Sequence, residues 1–401
     1  MTARSADASS SDRSSLGHAH RLVVKFGTRV VTHDGVELAA GRVHALVEEL
    51  ARLRRGGAEV VLVSSGAVGM GMRVLGLRER PRSLGLRQAC AAVGQGHLMA
   101  LYTQAFAQLG VQCAQVLLTQ EDLGDRDRAL CVRTTLMRLL ELGTLPILNE
   151  NDSVSVRELV EVQVADGASA PEVAFGDNDG LSALVARALD ADLLLLLTDV
   201  DGLYTANPAI DPGAQRIREQ VGVEPADLAR TTGTSAGGTG GMTSKLAAAR
   251  VVTEVGVPAV IASGATPQVI SRVLAGEDLG TVLWPASPRP ARRRSLAQGA
   301  RAGALVVNDG AIAALLQRKA SLLPIGVLRV EGEFDRGELV EIRDRSGRVF
   351  GRGLVNYGAA ACRALAGQHS DRIDAILGYR GYDAVVTRDN LVLTEGTPRD
   401  P

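Results

Sequence analysis

Arg21-Leu22-Val23-Val24-Lys25-Phe26-Gly27-Thr28 reads as a short apolar strand that ends on a lysine and turns through a glycine. Similar apolar runs recur at 58 to 64, 112 to 118, 145 to 149, 193 to 198 and 257 to 262. Between them, 38 to 55, 84 to 109, 126 to 142, 179 to 190 and 242 to 255 carry helical spacing and good helix formers. Connections of that length suit right-handed crossovers and not hairpins. Residues 21 to 285 are therefore expected to form an α/β domain, a three-layer αβα sandwich around a mainly parallel sheet.

The lysine that ends the first run is unusual in this chain. The 401 residues hold 44 Lys and Arg, of which only Lys25, Lys245 and Lys319 are lysines. Lys245 closes a second glycine-bearing segment, Gly237-Gly238-Thr239-Gly240-Gly241-Met242-Thr243-Ser244-Lys245, just ahead of an Ala-rich helical stretch. A compact ammonium enters a crowded phosphate cluster as a point charge, where arginine's planar fork fits less readily. An arginine-biased composition explains the scarcity of lysine but not these two positions; Lys319 has no such setting.

Composition narrows the classes. The length exceeds what one core usually organises, so two domains are expected. Hydrophobic residues make up 46% and aromatics 3%, which suits helices packed closely on a buried sheet. A net charge of −1 gives no global pull toward nucleic acid or an anionic membrane. Cys90, Cys113, Cys131 and Cys362 are widely spaced without a Cys-x-x-Cys pair, so a reducing cytoplasm is the simplest compartment. No apolar stretch approaches the ~20 residues needed to span a bilayer. Residues 1 to 20, rich in Ser, Ala and Asp, read as a disordered extension.

Pro285-Ala286-Ser287-Pro288-Arg289-Pro290-Ala291-Arg292-Arg293-Arg294 breaks the periodicity, and a linker is placed at 286 to 301. Beyond it, Val327 to Val330, Glu338 to Arg343 and Val349 to Gly353 alternate as short strands of a small β-rich barrel at 302 to 395, followed by a tail at 396 to 401.

Four loops follow expected strands of the larger domain: Lys25-Phe26-Gly27-Thr28, Ser64-Ser65-Gly66-Ala67-Val68-Gly69, Asn149-Glu150-Asn151-Asp152 and Thr198-Asp199-Val200-Asp201-Gly202. In a doubly wound sheet such loops meet at the carboxyl edge, where ligands bind. Glycine lets the backbone approach an anion, and the first amides of a following helix point at it. One such loop is usually only a turn; four together, one with a lysine, favour a phosphate site. Neither the Walker nor the dinucleotide glycine spacing is present. Asn149-Glu150-Asn151-Asp152 and Gly176-Asp177-Asn178-Asp179 gather carboxylates and amides suited to an α-ammonium group or to Mg²⁺, while helix capping accounts for any one of them equally well. No Ser-His-Asp or Cys-His arrangement can be argued, and His33, His44 and His97 are isolated.

Taken together these motifs resemble the glutamate 5-kinases of the amino acid kinase family. Val-Val-Lys-Phe-Gly-Thr, Ser-Ser-Gly-Ala, Asn-Glu-Asn-Asp, Gly-Asp-Asn-Asp, Leu-Leu-Thr-Asp-Val-Asp-Gly-Leu-Tyr and Gly-Thr-Gly-Gly-Met-x-x-Lys follow that family's order over about 21 to 285. Ser321-Leu322-Leu323-Pro324 and Gly351-Arg352-Gly353-Leu354-Val355-Asn356-Tyr357 look like an appended PUA domain. The resemblance implies phosphorylation of the glutamate side-chain carboxylate by ATP with Mg²⁺, the first step toward proline. It implies catalytic roles for Lys25, Lys245 and Asp177, with Asp177 and Asp179 as supports for the α-ammonium or for Lys25. Ser65, Asp152 and Asn178 would contact glutamate; Thr198, Asp199 and Thr239, Gly240, Gly241, Met242, Thr243, Ser244 and Lys245 would contact ATP, as would Lys25. A homo-oligomer and feedback inhibition by L-proline are further implications.

Three positions depart from the family pattern. Arg29 stands where a small hydroxyl residue is frequent, Cys131 where asparagine is, and 157 to 174 form an Ala- and Val-rich insertion beside the expected substrate site. The insertion makes proline inhibition less transferable than catalysis. Sister kinases acting on acetylglutamate or aspartate are the nearest alternatives, and acid-rich tracts suit a free α-ammonium better than an N-acetyl group. An RNA-binding role for the PUA segment, with Arg292-Arg293-Arg294 locally basic, is a minor alternative.

Overall fold

The computed structural model describes residues 12–154, 178–231, 241–286, 302–317, 320–379 and 381–393. The chain divides into two compact units, Met1–Pro288 and Arg289–Pro401.

In the first unit eight strands form one sheet. In spatial order they are Glu219–Val221, Thr281–Trp284, Ala259–Ser263, Leu193–Thr198, Arg21–Phe26, Glu59–Ser64, Leu145–Glu150 and Cys113–Leu118. Arg21–Phe26 lies at the centre, parallel to both neighbours, with Lys25 opposite Val63 on one side and Leu196 on the other. Burial on both faces explains why the central strands read as nearly continuous apolar runs, Leu193–Thr198 above all. The sheet is mainly parallel. Thr281–Trp284 runs antiparallel to Ala259–Ser263, and neither it nor Glu219–Val221 was expected as a strand, both being short segments at the margin of the sheet.

Alternation along the central strand sorts its side chains between two cores. Leu22, Val24 and Phe26 join the core under helices Ala40–Arg55 and Leu84–Gln108. Val23 faces the opposite core, built with helices Arg126–Glu141, Asn178–Ala188 and Met242–Thr253. Lys25 shares the parity of Val23, so it points toward the helices that carry Asp179 and Lys245.

Within the extension expected to be disordered, residues 12 to 20 are folded, and residues 1 to 11 lie outside the described residues. Arg13–His18 forms a 3-10 helix capped by Asp12, and Leu16 is buried in the first core. The Arg13 guanidinium donates to the carbonyls of Glu277 at 2.9 Å and Leu279 at 3.0 Å and lies near Asp278. Those bonds anchor a stretch whose polar composition gave no such sign.

The second unit has a five-stranded sheet in the order Val327–Gly332, Gly303–Val307, Leu339–Arg343, Val349–Leu354 and Leu391–Leu393. Gly303–Val307 and Leu391–Leu393 were not anticipated. The remaining three overlap the expected strands. Leu305, Val307, Val340, Ile342, Val355 and Cys362 belong to its core.

Candidate active site

Three charged side chains from three elements meet in the interior. Nζ of Lys25 lies 2.6 Å from Oδ1 of Asp179, and Nζ of Lys245 lies 3.1 Å from Oδ2 of the same carboxylate. Asp179 sits in the first turn of helix Asn178–Ala188, and Lys245 in the first turn of Met242–Thr253. Side-chain exposure is 4% for Lys25, 5% for Lys245 and 0% for Asp179, so none of the three is hydrated as it would be at the surface. Ser244 Oγ adds a hydrogen bond to Asp179 Oδ2 at 2.8 Å.

Burial by itself would raise the pKa of Asp179, but the ammonium groups of Lys25 and Lys245 outweigh it and hold the carboxyl down at about 2. Two ammonium groups held this close together in a low-dielectric setting are what a phosphoryl group in transfer requires. Asp177, for which the family resemblance implies a catalytic role, lies outside the described residues, as do Thr239, Gly240 and the insertion at 157 to 174. Asp179 was considered only as a support. Its signal was present in Gly176-Asp177-Asn178-Asp179, at the start of a helix aimed back at the lysine strand.

Next to this cluster is a patch of amides and one hydroxyl. Asn178 Nδ2 donates to Ser65 Oγ at 3.1 Å and to Asn149 Oδ1 at 2.9 Å. Ser65 follows the strand Glu59–Ser64, and Ser64 Oγ meets the buried hydroxyl of Tyr102 at 2.7 Å. Gly66 turns the chain there with φ at +112°, a left-handed conformation that suits glycine. Gly69 and Gly71 have a packing role. A Cβ on Gly71 would lie 1.8 Å from the Cys90 carbonyl oxygen, and one on Gly94 1.8 Å from that of Ala67, so the two helices touch backbone to backbone. Asp152 lies in the turn after Leu145–Glu150, half-buried. Asn149 and Gln95 join the patch without having been singled out; Asn149 stood in a quoted motif, whereas Gln95 carried no sequence signal.

On the other side of the lysines, the Gly27 amide donates to the Leu197 carbonyl at 2.9 Å, joining the Lys25 loop to the end of the strand Leu193–Thr198. A Cβ at Gly27 would sit 3.1 Å from that carbonyl oxygen and 3.9 Å from Lys25 Nζ. Thr198 is buried and donates to Asp199 Oδ1 at 3.0 Å. Arg29 Nη1 pairs with Asp199 Oδ2 at 2.8 Å, with the arginine side chain 65% exposed. Burial pushes the Asp199 carboxyl up, but the hydrogen bonds from Arg29 and Thr198 bring it below its ordinary value. Met242, Thr243 and Ser244 open the Lys245 helix behind its N-cap Gly241, and Thr243 Oγ1 donates to Thr231 Oγ1 at 2.9 Å. Ser65, Asn178, Asp179, Lys25, Lys245 and Ser244 are thus linked by direct contacts, and the Thr198 loop joins them through Gly27.

Comparison with known proteins gives the same outline. Residues 20–263 match the amino acid kinase family and residues 303–377 the PUA domain. Glutamate 5-kinase of Moorella thermoacetica is 46% identical over 384 residues, covering 95% of this chain and 98% of that protein. Glutamate 5-kinase of Cyanothece sp. is 47% identical over 380 residues, covering 93% and 99%. Glutamate 5-kinase of Myxococcus xanthus is 46% identical over 387 residues, covering 96% and 99%.

Proposed function

The chain belongs to the amino acid kinase family, and from that premise we propose that it transfers the terminal phosphoryl group of ATP to the side-chain carboxylate of L-glutamate, giving L-glutamyl 5-phosphate, the first step toward proline. The observation that carries the chemistry is the pair of buried ammonium groups, Lys25 and Lys245, held by Asp179.

A glutamate side chain with an ordinary pKa of about 4.3 is ionised at neutral pH and attacks phosphorus without a general base. The barrier is the approach of one anion to another and the charge that develops on the transferring group and leaving oxygen. Lys25 and Lys245 lower it from fixed positions, while Asp179 keeps the two cations close together despite their repulsion. Ser65, Asn178 and Asp152 are assigned to glutamate, and Thr198, Asp199 and the Gly241 to Lys245 segment to ATP; Asp177, Thr239 and Gly240 keep their expected roles.

Among the described residues no group of three or more His, Cys, Asp or Glu side chains is arranged to hold a metal ion, and both Asp179 oxygens face lysines. That donor set fits Mg²⁺ carried mainly by phosphate oxygens and water, as is usual for the ion. Bound there, Mg²⁺ would neutralise phosphate charge.

Among the described residues no helix is long and apolar enough to cross a membrane. A cytoplasmic homo-oligomer inhibited by L-proline is part of the proposal and rests on the family. The substrate is tested by trapping the acyl phosphate with hydroxylamine, offering L-glutamate, N-acetyl-L-glutamate and L-aspartate in turn, with and without L-proline. Product from glutamate alone supports the reading; product only from another acid moves the chain to a sister kinase.

A further inference from the structure

A backbone amide can only donate a hydrogen bond, and that of Glu150 faces two side-chain oxygens. Oδ1 of Asn149 lies 2.9 Å from it and Oδ1 of Asn178 lies 3.2 Å from it. Their orientation fixes both amide planes, because each NH₂ must then be at the opposite end. The NH₂ of Asn178 donates to Ser65 Oγ, and the NH₂ of Asn149 donates to Gln95 Oε1 at 2.6 Å. Asn178 also donates to Asn149 Oδ1 at 2.9 Å, so every donor and acceptor from Gln95 to Ser65 is assigned, with Asn178 giving a hydrogen in each direction.

Its end is the informative part. Ser65 Oγ already receives a hydrogen from Asn178, and among the described residues none accepts the Ser65 hydroxyl hydrogen. A buried hydroxyl that accepts one hydrogen bond and gives none to a described residue has its hydrogen to offer, which suits an anionic acceptor such as a carboxylate. Gln95 is well placed to hold the other end. It lies on helix Leu84–Gln108 directly after Gly94, the residue whose missing Cβ lets this helix lie against the Ala67 backbone, two residues past Ser65.

We infer that Gln95 is a positioning residue for the amino-acid substrate. By accepting from Asn149 it backs the Glu150 amide in holding the Asn149–Asn178 pair in the orientation that leaves the Ser65 hydrogen for a glutamate carboxylate. The inference deepens the proposed function and rests on it.

The test is a double-mutant cycle on the full-length enzyme, with initial rates measured over both substrates for wild type, Gln95→Met, Ser65→Ala and the double variant. Met keeps the length of the side chain and removes the acceptor. Gln95→Met is expected to raise the glutamate KM on the order of 10-fold, with the ATP KM and the melting temperature little changed. In the Ser65→Ala background the same change should have less than about a twofold effect, since the relay then ends on nothing. Gln95→Glu, which keeps an acceptor oxygen, should stay within about threefold of wild type in glutamate KM. Multiplicative effects in the cycle, or equal shifts of both KM values, overturn the inference and leave the function standing. A wild type inactive on glutamate removes both.

Discussion

The ammonium of Lys25 lies 2.6 Å from a carboxylate oxygen of Asp179, and neither side chain is more than 4% exposed. Ion pairs this dry are weak contributors to stability, because desolvation offsets most of the attraction. Here one carboxylate also serves a second lysine, so two ammonium groups are held side by side, an arrangement that folding alone does not require. Such an arrangement is understandable where an anion is to arrive.

Replacing Asp179 by Asn keeps the shape and leaves two buried ammonium groups facing a neutral amide. A loss of about 3 kcal/mol in unfolding free energy is expected, within the range for breaking a buried pair. Urea unfolding of Asp179→Asn beside wild type measures it; equal midpoints would show that the lysines are hydrated or neutral.

The same carboxyl makes stability depend on pH in a defined window. Its pKa falls from 3.8 to about 2 on folding, so its contribution is fully present above pH 4 and is lost as the pH drops toward 2. The difference in unfolding free energy between wild type and Asp179→Asn should be flat from neutrality down to about pH 5, then narrow by about 1 kcal/mol by pH 3. A difference that shrinks on raising the pH instead would have the wrong sign for this account.

Gly94→Ala should be severely destabilising, since the added carbon would stand 1.8 Å from the Ala67 carbonyl oxygen, a backbone atom that cannot swing away. We expect a loss of about 3 kcal/mol or more, with a lower melting temperature. An unaffected melting temperature would mean the two helices part without consequence.

Arg29→Ser removes an exposed ion pair, so the stability change should stay within about 1 kcal/mol. The pair nevertheless orients Asp199 at the end assigned to ATP. The ATP KM is expected to rise a few-fold with the glutamate KM unchanged, and added salt should weaken the wild type toward the variant. A shift confined to glutamate would place Arg29 at the other substrate.

Much of the fold was legible because buried parallel strands and amphipathic helices leave plain periodic traces. Arg21–Phe26 and Leu193–Thr198 are continuous apolar runs, and the helix around Lys245 follows a glycine. Lys25 and Lys245 stood out by rarity and setting. Other features depend on contacts that periodicity does not encode. Arg13 is ordered by carbonyls more than two hundred residues away in sequence. Gln95 matters through one hydrogen bond accepted at a half-buried helix position. Gly69 looked like part of an anion loop, yet a Cβ on it would stand 2.1 Å from the Gly35 carbonyl oxygen. A sequence shows that a glycine is present but not whether a phosphate or a backbone carbonyl occupies the space it leaves.

The most direct test of the account is the turnover of Lys25→Ala and Lys245→Ala at saturating ATP and L-glutamate, with folding verified by circular dichroism. Each folded variant should lose on the order of 10²-fold or more in kcat, as for other preorganised charge-stabilising groups. Wild-type turnover in either would contradict the claim that the buried ammonium pair stabilises the transferring phosphoryl group.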